Sequence, residues 1–477
     1  MHQYKTAVFF TAHGDRHRHC TAQIRHRPIF ETPTMQYIST GHNSPSVTLA
    51  QAVLCSHAPD GGLYMPASLP QIPDAFFRNF QGMTASEIAY VLATHFFSDD
   101  IPAQALKEMV DRTINFDIPL RRIDNDIYVL ELFGGPTLTF KDIGARFMAS
   151  LLRHIGTGSL PLNIIVASCG NTAGAIANAM APLSSVNVFV LFPRNSSNRQ
   201  LERQYTTLGG NIHAIEVHGN IDDCLALMRQ ALSDPVLQRK AMMTCANSAN
   251  IGRLLPETFY YFYGVAQLLE RIDQRSTEIV AAIPCGNLGN LTGGIISKRL
   301  GLPISHFIAC ENANDAFNET LTTGHLLPRR PSVPTLAYAT DKADPTNLPR
   351  ILDLYHYDFA AIRRDITGEC VNDVAIIEAV NGCYRDTGYM CDPHTAMAYY
   401  GLRRNLRPGQ TGLIIATAHP AKSLAAMNAI TGRAMDLPLQ LNAFMTGQDH
   451  RIRISPNYNV LRHIITDNTP TPQNIKQ

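Results

Sequence analysis

The sequence predicts an α/β protein with two parallel-sheet lobes and a smaller N-terminal domain. Three observations carry that expectation. Six continuous apolar runs, at 163–168, 186–192, 211–217, 278–284, 304–310 and 412–417, read as strands buried on both faces. Helical patterns near 221–232, 254–272, 291–300 and 372–387 separate most of them, and strands alternating with helices specify parallel sheets covered by helices. At 477 residues with 45% hydrophobic content, the chain can bury the cores of two or three domains.

In chain order, residues 1–34 are rich in Arg and His, with Asp15 and Glu31 their only acids. This composition weakly resembles an organelle transit peptide, a non-functional tail or a start codon assigned too far upstream being the equal alternatives, and the segment is expected to be disordered. The N-terminal domain spans 35–118. It holds a helix at 47–55, a turn at Asp60-Gly61-Gly62, and helices near 84–97 and 103–115; the apolar residues of TASEIAYVLATHFF recur with a helical period of about 3.6. Residues 119–250 form the first lobe, 251–454 the second, and 455–477 a C-terminal tail. The proline-rich segment 325–350 reads as an irregular surface insertion or flap.

The net charge of +1 gives no basic face for nucleic acid. No apolar run reaches the ~18 residues that a membrane span requires. Ten cysteines are scattered, without a C-x-x-C pair or a suitably spaced histidine pair, so no metal site is expected. Thiols dispersed through apolar segments suit a reducing compartment, and the cytoplasm is the expected location. The expected partner is a small molecule, bound by a monomer or homodimer.

Four stretches could carry chemistry. In LELFGGPTLTFKDIGAR (130–146), Lys141 stands between Phe140 and Asp142, with Ile143 beyond. Burial among such neighbours lowers a lysine's pKa and makes it a base or a Schiff-base nucleophile. Pro284-Cys285-Gly286-Asn287-Leu288-Gly289-Asn290 follows a strand and precedes a helix. Its two spaced glycines let backbone N–H groups converge at a helix N-terminus, a phosphate cradle that needs no basic side chain. Ser168-Cys169-Gly170-Asn171-Thr172 is a polar turn in the same context: Asn171 or Thr172 could cap the helix, or the Asn171 amide could hold a cofactor hydroxyl. Thr417-Ala418-His419-Pro420 ends the last strand. All three turns sit where open α/β sheets bind ligands. The G-x-S-x-G, H-E-x-x-H and P-loop patterns are absent.

A candidate Schiff-base lysine, a GNLGN cradle and an asparagine turn, in that order, resemble a fold-type II pyridoxal-phosphate enzyme of the tryptophan synthase β-like kind. Within that group the chain is similar to the threonine synthase family, in the form with an extra N-terminal domain. The matching segments are YISTGHN, DGGLYMP, LELFGGPTLTFKD, GNTAGA, TLGGNI, ANSANIGRLL, PCGNLGN, NANDAF, DPHTAMAY and TAHPAK. The resemblance implies pyridoxal 5'-phosphate as cofactor, bound covalently by Lys141, which then shuttles protons. It implies that Gly286, Asn287, Leu288, Gly289 and Asn290 bind the cofactor phosphate, Asn171 the ring hydroxyl and Thr417 the pyridine nitrogen. Asn247, Ser248, Asn250 and Arg253 would lie near the substrate, O-phosphohomoserine, which the family converts with water to threonine and phosphate.

The chain also departs from the family. Ser196 stands where the family has a basic residue expected to help hold the substrate phosphate, and Arg199 or Arg194 would have to replace it. Ala337 and Thr340 replace a serine and a methionine, Cys169 and Cys285 replace serines, and Ala173 replaces a glycine. Two other readings therefore stand beside threonine synthase: a paralogue using another γ-substituted amino acid or forming another product, and a non-catalytic binding protein of the same fold.

Overall fold

The computed structural model describes residues 35–156, 160–168, 170–194, 199–272, 278–328 and 330–470. The expectations for residues 1–34, Cys169 and Ser196 lie outside them. In chain order the described strands are β1 (Tyr37–Ser39), β2 (Tyr64–Pro66), β3 (Leu120–Arg122), β4 (Ile127–Glu131), β5 (Leu162–Ala167), β6 (Val186–Pro193) and β7 (Ile212–Val217). They continue with β8 (Met242–Cys245), β9 (Glu278–Pro284), β10 (His306–Glu311), β11 (Ile366–Cys370), β12 (Gln410–Ala416) and β13 (Ile452–Ile454).

β1 and β2 pair antiparallel in the N-terminal region, beside the helices Ala85–Phe97 and Ala103–Thr113. The first of these helices opens on a capping box, in which Thr84 Oγ1 accepts from Glu87 N and the Glu87 carboxylate accepts from Thr84 N. A six-stranded sheet has the order β11-β10-β9-β12-β4-β3 and is parallel except for β3. A five-stranded sheet, β13-β7-β6-β5-β8, is parallel throughout.

Strand alternation gives each sheet two buried faces, which is why these segments read as unbroken apolar runs. In β9, Ile279, Ala281 and Ile283 enter a core shared with the other sheet and the N-terminal region. Val280 and Ala282 face a second core beneath the helices Asp373–Thr387 and Pro393–Asn405. β5 divides likewise, with Ile164 and Val166 in the shared core and Ile165 and Ala167 toward the helix Ile221–Ser233. Each such Ile or Val contributes about 1.5–3 kcal/mol by leaving water.

The helix Lys141–Ile155 lies in the shared core and packs against the helices Ala103–Thr113, Asn171–Met180 and Ile251–Leu254. Gly144 permits that close approach: a Cβ there would stand 2.6 Å from the Arg253 carbonyl oxygen. Gly156, at φ 65°, ends the helix.

The strands cut across the expected lobes 119–250 and 251–454. β3 and β4 join the sheet of the later segment, because β4 pairs with β12 rather than with β5. β13 returns to the earlier sheet beside β7. The expected tail at 455–477 contains a helix, Tyr458–Asp467, whose Leu461 and Ile465 are buried in the five-stranded sheet's outer core. The helix expected at 254–272 is two, Ile251–Leu254 and Glu257–Leu269, divided at Pro256. Part of 325–350 is anchored rather than loose: Asn312 Nδ2 donates to Thr335 Oγ1, Thr340 Oγ1 and Asp341 Oδ1, and the helix Leu348–Leu354 begins within it.

Candidate active site

Sheet order builds the site. β9, β12 and β4 are parallel neighbours, so the turns that leave their carboxyl ends lie side by side. Those turns are the segment 284–290, Thr417 with Ala418, and the loop that ends at Lys141. Phe140 N donates to Thr417 O at 2.9 Å, Thr139 Oγ1 donates to the same oxygen at 3.2 Å, and His419 N donates to Leu138 O at 3.1 Å. After β5, in the other sheet, the turn leads to Asn171, the first residue of the helix Asn171–Met180, which faces the same space. Between the two lies a cleft lined by turns from both sheets. Every residue expected to hold a cofactor lines it except Gly289, which opens the helix Gly289–Arg299 and donates its N–H to Asn287 Oδ1 at 3.2 Å.

Lys141 forms part of the wall. Its side chain is half-buried, and Nζ sits 4.8 Å from the centroid of the Phe140 ring. Its amine is pulled down to about 8, by burial first and then by the nearby Arg253 charge, with Glu257 opposing the shift. A fraction of the lysine is therefore the free amine near neutrality. Asp142 holds the turn in front of it, accepting from Thr137 N at 2.9 Å and Thr137 Oγ1 at 2.5 Å. Lys422 closes the same turn by donating to Thr137 O at 2.7 Å and to Gln204 Oε1.

The glycine loop carries the local strain of a built site: Leu288 adopts φ 62°, and Leu138 before Lys141 adopts φ 57°. Gly286 admits no side chain, since a Cβ would meet Thr340 Cα at 2.7 Å. Asn290 is fixed by two phenols, because its Oδ1 accepts from Tyr260 at 2.8 Å and Tyr261 at 2.7 Å. Its Nδ2 is left without a partner, as is Asn171 Oδ1. Buried polar atoms are nearly always satisfied, so unpartnered ones clustered around a cleft mark where a ligand's groups belong. Asn171 does not cap its helix: Gly170 holds the cap position without a side-chain bond.

Of the expected substrate residues, Ser248 lies closest to the loop, its Oγ accepting from Asn287 Nδ2 at 2.7 Å. Asn247 Oδ1 has no partner. Arg253 is buried, with Nη1 donating to Ala246 O at 3.3 Å and Nη2 3.9 Å from Glu257. Asn250 is committed elsewhere: its Nδ2 donates to Val53 O and Cys245 O, and its Oδ1 caps the helix that carries Arg253. Arg199 is exposed at the start of its helix and does not line the cleft.

Sequence reasoning passed over His394, which lines the cleft. Asp392 Oδ2 lies 2.5 Å from His394 Nδ1, and Ala339 N donates to His394 Nε2 at 3.1 Å. Those partners specify the tautomer with its proton on Nδ1. The signal was present, since DPHTAMAY is among the matching segments, but no local pattern says that this histidine meets residue 339.

Residues 36–114 match the family model described as threonine synthase N terminus, and residues 115–418 the model described as pyridoxal-phosphate dependent enzyme. Over 408 residues the chain is 36% identical to the threonine synthase of Escherichia coli (strain K12), covering 84% of this chain and 92% of that protein. The chain belongs to the threonine synthase family. Like its family, it is a pyridoxal-phosphate-dependent lyase with a small amino-acid substrate. It overlays the crystal structure of the Escherichia coli threonine synthase with a TM-score of 0.84 at 34% identity, covering 91% of this chain and all of that one. A pyridoxal-phosphate-bound threonine synthase from Brucella melitensis gives 0.86 at 27% identity, covering 92% and 100%. Among the described residues, no helix is long and apolar enough to cross a membrane.

Proposed function

We propose that this cleft converts O-phospho-L-homoserine and water into L-threonine and inorganic phosphate. One observation carries the reading: a lysine with a depressed pKa shares a cleft with an anion-accepting glycine loop, in a threonine synthase fold. Residues 286–290 would hold the phosphate of pyridoxal 5'-phosphate, Asn171 its ring hydroxyl, Thr417 its ring nitrogen and Lys141 its carbonyl carbon. When bound, the cofactor supplies an electron sink beside the substrate's α carbon.

The chain's own residues do the rest. Lys141 takes the proton from the α carbon and then one from the β carbon, as a base whose pKa lies close to the working pH. Phosphate departs from the γ carbon with the C–O electron pair. Water then adds its oxygen at the β carbon, and the protons return to the carbon skeleton. We assign the substrate phosphate to Arg253, with Asn247 and Ser248 beside it. Arg253 is a buried guanidinium with a free Nε, and a charge-assisted bond there is worth about 1.5–3 kcal/mol. On this reading the cation is Arg253, whose charge acts on Lys141, rather than the exposed Arg199. Eight described cysteines are free, which supports a reducing compartment, and we place the enzyme in the cytoplasm as a monomer or homodimer.

The test is the stoichiometry of products from O-phosphohomoserine with purified protein and pyridoxal phosphate. Equal amounts of phosphate and threonine are expected. Cofactor binding with neither product would overturn the substrate assignment.

A further inference from the structure

Arg350 is a fully buried arginine that takes no part in the chemistry above. Its five N–H groups are all engaged. Nε and Nη2 donate to Tyr64 O at 3.3 and 2.9 Å, and Nη2 donates also to Ala249 O at 2.7 Å. Nη1 donates to Ser248 O at 2.8 Å and Asn347 Oδ1 at 2.7 Å. Every one of these acceptors is an uncharged oxygen. Burying a guanidinium is costly, and partners of this kind return less than a carboxylate would. Burial brings Arg350 down to about 9, still charged at neutral pH.

The partners explain the placement. Tyr64 belongs to β2 in the N-terminal region, and Ser248 and Ala249 to the segment beside the substrate. Asn347 donates from Nδ2 to Ser248 Oγ and to Asn287 O, both at 3.0 Å, and its own N–H donates to Asn287 O at 3.0 Å. Ser248 Oγ in turn accepts from Asn287 Nδ2. The rigid fork of one arginine therefore fixes two residues, Ser248 and Asn347, that together clamp the side chain and carbonyl of Asn287 in the glycine loop. A lysine could not span these acceptors, because it lacks the planar five-donor geometry.

We propose that Arg350 is a positioning residue for the reaction: through Asn347 and Ser248 it sets the glycine loop in the geometry that receives a phosphate, and it ties that loop to the N-terminal region. The proposal rests on the reading that the loop receives the cofactor's phosphate. In Arg350→Lys the loop is still present but no longer held.

The test compares the affinity of apoprotein for pyridoxal phosphate with that for pyridoxal, which has no phosphate. Both are followed by visible absorbance in wild type, Arg350→Lys, Ser248→Ala and the double variant. Arg350→Lys should weaken pyridoxal phosphate about tenfold or more while pyridoxal changes less than about twofold, so the preference for the phosphorylated form shrinks. The effects of Arg350→Lys and Ser248→Ala should combine to less than their product, as expected of residues on one path. Equal losses for both ligands, unchanged affinities, or fully multiplicative effects would overturn the proposal. If Arg350→Lys does not fold, Asn347→Ala paired with Ser248→Ala reads the same path with the same outcomes. A wild type that makes no threonine would sink the proposed reaction, yet the phosphate preference would still be measurable and would judge Arg350 separately.

Discussion

Lys141 owes its lowered pKa to its surroundings rather than to its own side chain. Lys141→Ala should abolish both turnover and the visible absorbance of lysine-bound pyridoxal phosphate; turnover retained by the variant would refute its role. Covalent capture needs the unprotonated amine, and burial has lowered the pKa from 10.5 to about 8. Capture by apoprotein should therefore accelerate as pH rises and level off above about 8, which stopped-flow absorbance would follow; a midpoint near 10 would contradict the burial argument. At Gly286 the demand is steric. Gly286→Ala drives a methyl against the Thr340 backbone, and the loop must shift or absorb about 1–3 kcal/mol. Equilibrium titration should show pyridoxal phosphate affinity falling at least about tenfold, and unchanged affinity would mean that the loop moves freely. These residues were legible in the sequence because each sits in a short pattern whose chemistry is local. His394, Asn347 and Arg350 were not. Their decisive partners are far along the chain, such as Tyr64 for Arg350, and no spacing rule reaches that distance.

At the scale of elements, long apolar runs announced themselves and short mixed strands did not. β5, β6, β7, β9, β10 and β12 fall within a residue or two of the expected runs, because burial on both faces removes polar residues from them. β3, β8, β11 and β13 have three to five residues and include Arg, Thr, Glu or Met, so only their neighbours make them strands. The two-residue break around Pro256 was visible as a proline, but the helical pattern on either side masked it. The C-terminal helix Tyr458–Asp467 shows what an element read as a tail contributes. Leu461 is wholly buried against the outer face of the five-stranded sheet. Leu461→Ala should cost about 2–5 kcal/mol in urea unfolding while leaving the KM for substrate unchanged. A stability loss below about 1 kcal/mol would show that the helix docks loosely.

For the whole molecule, stability against pH is set partly by groups far from catalysis. Glu311 ends β10 in the interior, where burial raises its carboxyl from 4.5 to about 8 even though Asn318 N and Phe317 N donate to it. Between those values the folded protein keeps a proton that the unfolded chain has released, so stability falls as pH rises through this window. Glu311→Gln should flatten the decline, by about 2–5 kcal/mol between about pH 5 and about pH 8, at about 1.4 kcal/mol per unit. Identical slopes in urea titrations of wild type and variant would refute it.

The interleaved sheets also fix an order of events during synthesis. The six-stranded sheet needs β4 and β12, and the five-stranded sheet needs β13, so neither is complete until most of the chain has left the ribosome. The lysine turn closes on Thr417 and Ala418, which are translated nearly three hundred residues after Lys141. At about 5–20 residues per second, a nascent chain spends tens of seconds with Lys141 as an ordinary, water-exposed ammonium. The lowered pKa that the proposed role of Lys141 requires therefore arrives only with the finished fold.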